Sequence, residues 1–246
     1  RVGVLYYGTG ITGSYFTGNT YTGKGDGDWL DYCLDISAGA VVFVDGNIIT
    51  DCTGIASSDG SESAGILVTS YYGSGTTADI RNNIVNGCTM GIAVGYNASD
   101  NSTVTLDRNN LADNEYGVHG TIAANASANY WGTADGPGGS GFGTGSAIND
   151  LISYTSWYDT SAMDHLVYGG VLVDDDFNDT TPGWGLYAFT NIQQGVDAVG
   201  IGGTVSVNPG TYVEQVEITK DLLLLGTASG VVIQSPAVLP LSFTTS

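Results

Sequence analysis

Phe16-Thr17-Gly18-Asn19-Thr20-Tyr21 recurs along the chain, with varied apolar residues around a constant asparagine. The matching stretches are Val44-Asp45-Gly46-Asn47-Ile48-Ile49, Ile80-Arg81-Asn82-Asn83-Ile84-Val85 and Leu106-Asp107-Arg108-Asn109-Asn110-Leu111. The aligned asparagines stand 28, 36 and 26 positions apart. A period in this range, with short alternating segments and one turn per repeat, is typical of the coils of a β-solenoid. The repeat therefore predicts an all-β protein built of stacked coils.

The repeated asparagine has a structural role in this prediction. Asn tolerates the left-handed conformation of a tight turn, and its amide can hydrogen-bond to the asparagine of the next coil. The step of 36 residues requires an insertion, and the polar segment 57–63 is the expected surface loop. We expect these residues to form one ladder: Asn19, Asn47, Asn83, Asn109 and Asn129.

Two cysteines occupy equivalent positions on successive repeats, Cys52 and Cys88. Coils stacked about 4.8 Å apart would place their Cα atoms inside the window of about 4.4–6.8 Å that a disulfide allows. A buried stack of free thiols fits the same position and is the favoured alternative. Cys33 has no equivalent partner.

The composition is strongly acidic, with 25 Asp and Glu against 5 Lys and Arg and a formal net charge of −20. This charge excludes nucleic acid as a partner and argues against docking on an anionic membrane. Hydrophobic residues make up 42% of the chain, enough for a core, so the acidic groups belong on the surface of a folded protein.

An extracellular location is expected, because the chain offers few basic cleavage sites and contains several glycosylation motifs. Arg1 is expected to begin a mature or excised chain, since no signal peptide precedes it. The candidate glycosylation sites are Asn97, Asn101, Asn125 and Asn178.

The ensemble of coils resembles the pectin-lyase-like superfamily, and within it the non-enzymatic NosD-like repeats of bacterial and archaeal surface proteins. Asn129-Tyr130-Trp131-Gly132, followed by Asp135-Gly136-Pro137, is similar to the segment that closes such solenoids. The resemblance implies a right-handed parallel β-helix with a structural role at the cell surface.

Residues 171–246 resemble the N-terminal cap and first coils of this fold, although here they follow the coils. A short capping α-helix is expected at about 190–199, with Thr190 as its N-cap and Gln193 completing a capping box. Its apolar residues Ile192, Val196 and Val199 recur on one face. The predicted organisation is coils and closing segment at 1–158, a connector at 159–170, and cap helix and coils at 171–246.

This order allows two arrangements. The C-terminal coils complete the solenoid of the same chain, as in a circular permutant, or they complete that of a neighbouring chain. The second arrangement is favoured. Its head-to-tail contact does not close and would grow an extracellular filament, surface appendage or surface layer. The expected assembly ends are Val2, Val4, Tyr6, Val231, Ile233 and Phe243.

Few residues suggest catalysis. Arg81 and Arg108 lie beside Asp79 and Asp107, which fits either the charge-stabilising site of a lyase or, as favoured, a solvated salt-bridged face. Two lone histidines, His119 and His165, lack a nucleophile or metal partner at meaningful spacing. No enzymatic activity is expected.

Calcium is the candidate metal, and no other cofactor is expected. Asp174-Asp175-Asp176 could supply carboxylate ligands, although no Asp-x-Asp-x-Asp-Gly loop is present. A second acidic group could hold the same ion: Asp26, Asp28, Asp31 and Asp35.

Aromatic pairs suggest a further function. Tyr6-Tyr7, Tyr71-Tyr72 and Tyr130-Trp131 could stack on sugars or on a neighbouring subunit, and packing in the core or at an end is the alternative. Three functions follow in order of preference: a structural subunit of an extracellular filament that binds copies of itself, a carbohydrate-binding or adhesive module, and a polysaccharide lyase or hydrolase. The second requires a row of exposed aromatic residues along one face.

Overall fold

A computed structural model of the chain describes residues 2–237. It divides into unit 1, Arg1–Leu166, and unit 2, Val167–Ser246. The division falls inside the range expected for a connector, which also contains the start of a strand at Leu166–Val173. No helix in the described range has the length and apolar character needed to cross a membrane.

Unit 1 consists of short strands separated by turns and loops, as the alternating apolar pattern predicts. The strands in chain order are β1 Val2–Tyr7, β2 Thr12–Thr17, β3 Thr20–Thr22, β4 Tyr32–Ser37, β5 Val41–Asp45, β6 Ile48–Thr50, β7 Ala64–Thr69, β8 Thr77–Arg81, β9 Ile84–Asn86, β10 Met90–Val94, β11 Thr103–Asp107, β12 Tyr116–Gly120, β13 Ala124–Asn125, β14 Asn129–Tyr130, β15 Pro137–Gly139, β16 Gly145–Ile148, β17 Ile152–Ser153 and β18 Ser156–Tyr158.

The coils of unit 1 stack most of their strands into three main parallel sheets. The first sheet has the order β1-β4-β7-β10-β12-β16-β15, and the second has the order β2-β5-β8-β11. The third sheet begins β3-β6-β9 and continues through parallel bridges from Ile84 to Asn110 and from Asn110 to Tyr130 in β14. Strands β14 and β18 pair in parallel, as do β13 and β17. The predicted all-β parallel solenoid is confirmed.

Inward-facing residues of successive coils stack to form the core of unit 1. In the first sheet, Leu34, Ile66 and Ile92 are register partners and are fully buried. In the second sheet, Val44 and Ile80 stack in the same way. Because every coil presents its apolar residue at the same register, the core is a set of continuous ladders along the stack.

Unit 2 is a smaller parallel arrangement with the expected short helix. Strand β19 pairs with β20 and β21, β21 pairs with β23, and β22 pairs with β24. The elements are β19 Leu166–Val173, β20 Ala188–Phe189, α1 Ile192–Ala198, β21 Val199–Val207, β22 Gly210–Val213, β23 Leu223–Gly226 and β24 Val231–Gln234.

The helix packs Ile192 and Val196 into the core of unit 2, as predicted. Val199, which was expected on the helix, is the first residue of β21 and is buried in the same core. The N-cap of the helix also differs from the expectation. Asn191 rather than Thr190 caps the helix, and its side chain accepts a hydrogen bond of 3.0 Å from the Gln194 backbone N–H. The Glu214 carboxylate accepts two further N–H groups of the first turn, at 2.7 and 2.9 Å. Asparagine one residue later therefore takes the role that the sequence pattern assigned to threonine.

Candidate ligand-binding groove

The outer face of the first sheet carries a line of side chains that the core does not use. In β4, Leu34 and Ile36 point into the core and are fully buried, so Asp35 between them points outward. Its register partners on the neighbouring strands point the same way. In order along the stack, this outward line is Leu5, Asp35, Leu67, Ala93 and His119.

This outer face forms the floor of a groove of about 600 Å³. The floor crosses β4, β7, β10 and β12, a length of three interstrand steps of about 4.8 Å each. Its walls stand at the two ends of the strands. The residues of one wall are Asp59, Gly60, Ser61 and Glu62, and those of the other are Tyr71, Tyr72, Tyr96 and Thr121.

The first wall belongs to the loop that the 36-residue step predicted. The Asp28 carboxylate accepts hydrogen bonds of 2.7 Å from both the backbone N–H and the hydroxyl of Ser57, and these bonds lower the pKa of Asp28. The Tyr32 hydroxyl donates to the Glu62 carbonyl at 3.1 Å, and burial raises the pKa of Tyr32 to about 12. The loop is thus tied to unit 1 at both of its ends.

The second wall contains three exposed tyrosines, and Tyr7, which packs on Tyr72 beyond the groove, extends them into a row. This row is referred to below as the tyrosine row: Tyr7, Tyr72, Tyr71 and Tyr96. Neighbouring ring centroids in the row lie 5.7, 4.7 and 4.7 Å apart. Each side chain keeps between 41% and 61% of its surface exposed. Rings in contact with one another and with solvent form a ready-made apolar surface with hydroxyl groups at its margin.

Sequence reasoning identified Tyr7, Tyr71 and Tyr72 but not Tyr96. The first three occur in consecutive tyrosine pairs, whereas Tyr96 is isolated in the sequence. It joins the row because it follows β10 as Tyr71 follows β7, and these strands are neighbours in the sheet. Comparison of equivalent positions after successive strands would have found it. Tyr6, by contrast, is partly buried and donates its hydroxyl to the Tyr15 carbonyl at 2.9 Å.

Asp35 is the unusual residue of the floor. It is only 8% exposed, and its Oδ1 atom has no hydrogen-bond partner. Burial raises its pKa, because the charged carboxylate loses its hydration. The sequence predicts Asp35 as one member of a candidate calcium group with Asp26, Asp28 and Asp31. The sequence does contain a pattern that predicts its outward position: Asp35 stands between the apolar residues Leu34 and Ile36 of one strand.

The asparagine ladder is continuous. The side-chain Nδ2 of each asparagine donates to Oδ1 of the next, at 3.0, 2.8, 3.0 and 2.9 Å from Asn19 to Asn129. Each Oδ1 also accepts the backbone N–H of the preceding ladder residue, at 2.9 to 3.1 Å. Asn47, Asn83, Asn109 and Asn129 are buried. The ladder therefore satisfies the polar groups of these buried side chains, although neighbouring turn residues such as Gly46 and Asn82 are exposed.

The left-handed conformation does not fall on the ladder asparagines, contrary to the prediction from the sequence. It falls on the residue before each one, at the turn that places the asparagine in the ladder. These residues and their φ angles are Gly18 65°, Gly46 66°, Asn82 54°, Arg108 54° and Ala128 57°.

All three cysteines are buried and free. The Cys52 and Cys88 thiols donate to the carbonyls of Thr50 and Asn86, at 3.8 and 3.5 Å. A hydrogen bond with Cys88, together with burial, raises the pKa of Cys52. Burial raises the pKa of Cys33 to about 12. The raised pKa values make the Cys33 and Cys52 thiols poor nucleophiles, whereas the hydrogen bond with Cys52 lowers the pKa of Cys88.

The basic and histidine candidates for catalysis do not form one site, because each has different partners. Arg81 forms an ion pair with Asp79 and approaches Asp107 at 4.0 Å, as expected for a solvated face. Arg108 instead donates to the Tyr158 hydroxyl at 2.8 Å and to the Met163 carbonyl at 3.1 Å. His165 bonds to Asp159 at 2.8 Å. His119 lies in the groove and packs edge-on against Tyr116, with centroids 4.9 Å apart.

In the described range, Asp174, Asp175 and Asp176 bring three carboxylates within 4.8 Å of one another. Asp174 accepts from the Asn208 amide at 2.9 Å and from the Asp176 backbone N–H at 3.0 Å, and Asp175 accepts from the Thr211 backbone N–H at 3.1 Å. These bonds give the carboxylates a role in turn structure. Residues 26, 28, 31 and 35 do not form such a group; Asp31 is buried and accepts from Tyr21 and Lys24.

The remaining predicted positions lie at the surface or at the margins of the described range. The four candidate glycosylation asparagines are exposed: Asn97, Asn101, Asn125 and Asn178. Val2, Val4 and Tyr6 lie in β1, and Val231 and Ile233 lie in β24. Phe243 lies outside the described residues. Assembly through these positions stays a prediction.

No protein-family model, no curated protein and no solved structure matches this chain. The similarity to pectin-lyase-like and NosD-like proteins is therefore an expectation from sequence motifs, whereas the parallel β-solenoid is a property of the structure.

Proposed function

We propose that unit 1 is a non-catalytic carbohydrate-binding module that holds a glycan along the groove of the first sheet. The observation that carries this proposal is the tyrosine row, because an exposed aromatic surface beside a polar groove fits the alternating apolar faces and hydroxyl groups of sugar rings.

The polar part of the groove supports the same proposal. Asp35 offers an oxygen without a partner, and Asp59 and Glu62 stand on the opposite wall from the tyrosines. Sugar hydroxyls donate hydrogen bonds, so they can satisfy such acceptors. The floor is built on paired strands, so the groove is largely formed before a ligand arrives, which limits the entropic cost of binding.

The test is binding of neutral oligosaccharides to the purified chain, measured by isothermal titration calorimetry after a glycan-array screen. The variant Tyr71→Ala/Tyr72→Ala removes the centre of the row and should weaken binding by about tenfold or more. Tyr15→Ala is the matched control, since Tyr15 is an exposed tyrosine stacked on Phe43 at 5.0 Å in the second sheet. Absence of binding to every glycan would refute the proposal, as would equal losses in both variants.

The extracellular filament is a separate proposal, which rests on the placement of the cap-like segment after the coils in the sequence. Light scattering and negative-stain microscopy across a dilution series test it. Rods that lengthen with concentration would support assembly from copies of the chain, and a monomer at every concentration would refute it.

A further inference from the structure

The groove carries negative charge. Asp35, Asp59 and Glu62 line it, and none of the described residues that line it is Lys or Arg. Basic side chains of unit 1 are engaged elsewhere: Arg81 with Asp79, and Lys24 over the Trp29 ring at 3.9 Å. A ligand that carries carboxylates would meet repulsion from every fixed charge in the groove, whereas a cationic ligand would meet attraction.

Asp35 requires a specific kind of partner. Its Oδ1 atom is buried and has no hydrogen-bond partner, and the residue is only 8% exposed. A buried acceptor without a partner is unfavourable, and a donor that brings a positive charge relieves this more than a neutral hydroxyl does. An ammonium group supplies three such donors from one small atom.

The tyrosine row favours a ligand that is cationic and also presents an apolar face. Aromatic faces attract cations in addition to stacking on apolar surfaces. An amino sugar combines a ring face, hydroxyl groups and a protonated amine in one unit, so it matches the tyrosine row, the polar wall and Asp35 together.

We propose that the groove binds an amino-sugar oligosaccharide with free amines, with one ammonium group held by Asp35 and the sugar rings stacked on Tyr71, Tyr72 and Tyr96. This inference rests on the proposed carbohydrate-binding function and adds the class of sugar. It assigns Asp35 the selection of the amine and the tyrosine row the binding of the rings.

The experiment compares three tetrasaccharides by isothermal titration calorimetry: glucosamine with free amines, its fully N-acetylated form, and galacturonate. It is done in about 0.5 M NaCl, where a Debye length of about 4 Å suppresses non-specific attraction to the acidic surface. The free-amine form should bind about tenfold more tightly than the acetylated form, and galacturonate should not bind.

The variant Asp35→Asn keeps the shape of the side chain and removes its charge, so it should reduce the preference for the free amine to about twofold or less. Asp113→Asn is the matched control, because it removes one exposed acidic charge from a turn outside the groove, at a position with a φ of 59° that Asn tolerates. Circular dichroism melting of each variant checks that the fold is retained.

The outcomes separate the two proposals. Equal or tighter binding of the acetylated sugar would overturn the amine inference and leave carbohydrate binding in place. An unchanged preference in Asp35→Asn, or the same loss in Asp113→Asn, would overturn the assignment to Asp35. Failure of all three sugars to bind, together with a negative glycan array, would refute the proposed function itself.

Discussion

Replacing Asn83 by Ala tests whether the asparagine ladder stabilises the solenoid. The Asn83 side chain is fully buried. Its Oδ1 accepts from the backbone N–H and the Nδ2 of Asn47, at 3.0 and 2.8 Å. Its two Nδ2 hydrogens serve three acceptors, which are Asn109 Oδ1 and the carbonyls of Val44 and Arg81. The amide group thus contributes about four hydrogen bonds at any moment.

The expected loss follows from these bonds. A buried hydrogen bond contributes about 1 kcal/mol net, so Asn83→Ala should lower the free energy of unfolding by about 4 kcal/mol. The Asn47 backbone N–H would lose its acceptor, which accounts for a substantial part of this cost. Asn19→Ala is the matched control. Asn19 is exposed and makes a single side-chain contact along the ladder, so its loss should cost about 1 kcal/mol or less.

The assay is urea unfolding followed by circular dichroism and tryptophan fluorescence. With a slope of about 3 kcal/mol per molar, a difference of about 3 kcal/mol between the variants separates their midpoints by about 1 M. If the two midpoints lie within about 0.3 M of each other, the ladder does not stabilise the coils in the way proposed. An unchanged slope is required for the comparison, because a changed slope would indicate a changed unfolded or native state.

Three further predictions use the same assay. Ala128→Gly should raise stability by about 0.5–1 kcal/mol, because Ala128 holds a φ of 57°, and Ala124→Gly in the neighbouring strand should lower it instead. Gly117→Ala should lower stability by about 1–3 kcal/mol, because a Cβ atom there would lie 2.9 Å from the buried Trp131 ring; an unchanged midpoint would show that the ring can move. The raised pKa of Asp35 makes its protonated form the one that favours folding, so this contribution is present below about pH 4, the ordinary Asp value, and is lost as the pH rises through the raised value. Asp35→Asn should therefore gain stability relative to the wild type between pH 4 and pH 7, and a constant difference across that range would contradict the burial argument.

The local pattern of the chain determined its coils. The spacing of Asn19, Asn47, Asn83 and Asn109, with alternating apolar residues on either side, predicted a parallel solenoid, and the long step predicted the loop at 57–63. These predictions succeed because every coil of a solenoid repeats the same short sequence pattern. The strands and the turn of one coil can therefore be recognised again in the next. The short helix was predicted for the same reason, since its apolar residues recur on one face within a single turn-bounded segment.

Finer features of the turns required the tertiary structure. Whether Asn83 or the preceding Asn82 takes the positive φ depends on which side chain must point inward to meet the next coil, and Asn82 takes it. The cap of α1 likewise depends on Glu214, which lies on a later strand connection and occupies two N–H groups of the first turn. Local propensity does not distinguish adjacent residues when a distant partner decides between them.

The candidate site was decided almost entirely by stacking between coils. Tyr7, Tyr72, Tyr71 and Tyr96 become one row, and Asp35 becomes a buried acceptor, because coils of unequal length place residues from distant parts of the sequence side by side. The sequence by itself determined that the chain builds stacked coils from short strands with alternating apolar residues. Only the tertiary structure decided which outward residues meet, because the interstrand distance of about 4.8 Å, and not the separation along the chain, sets their contacts.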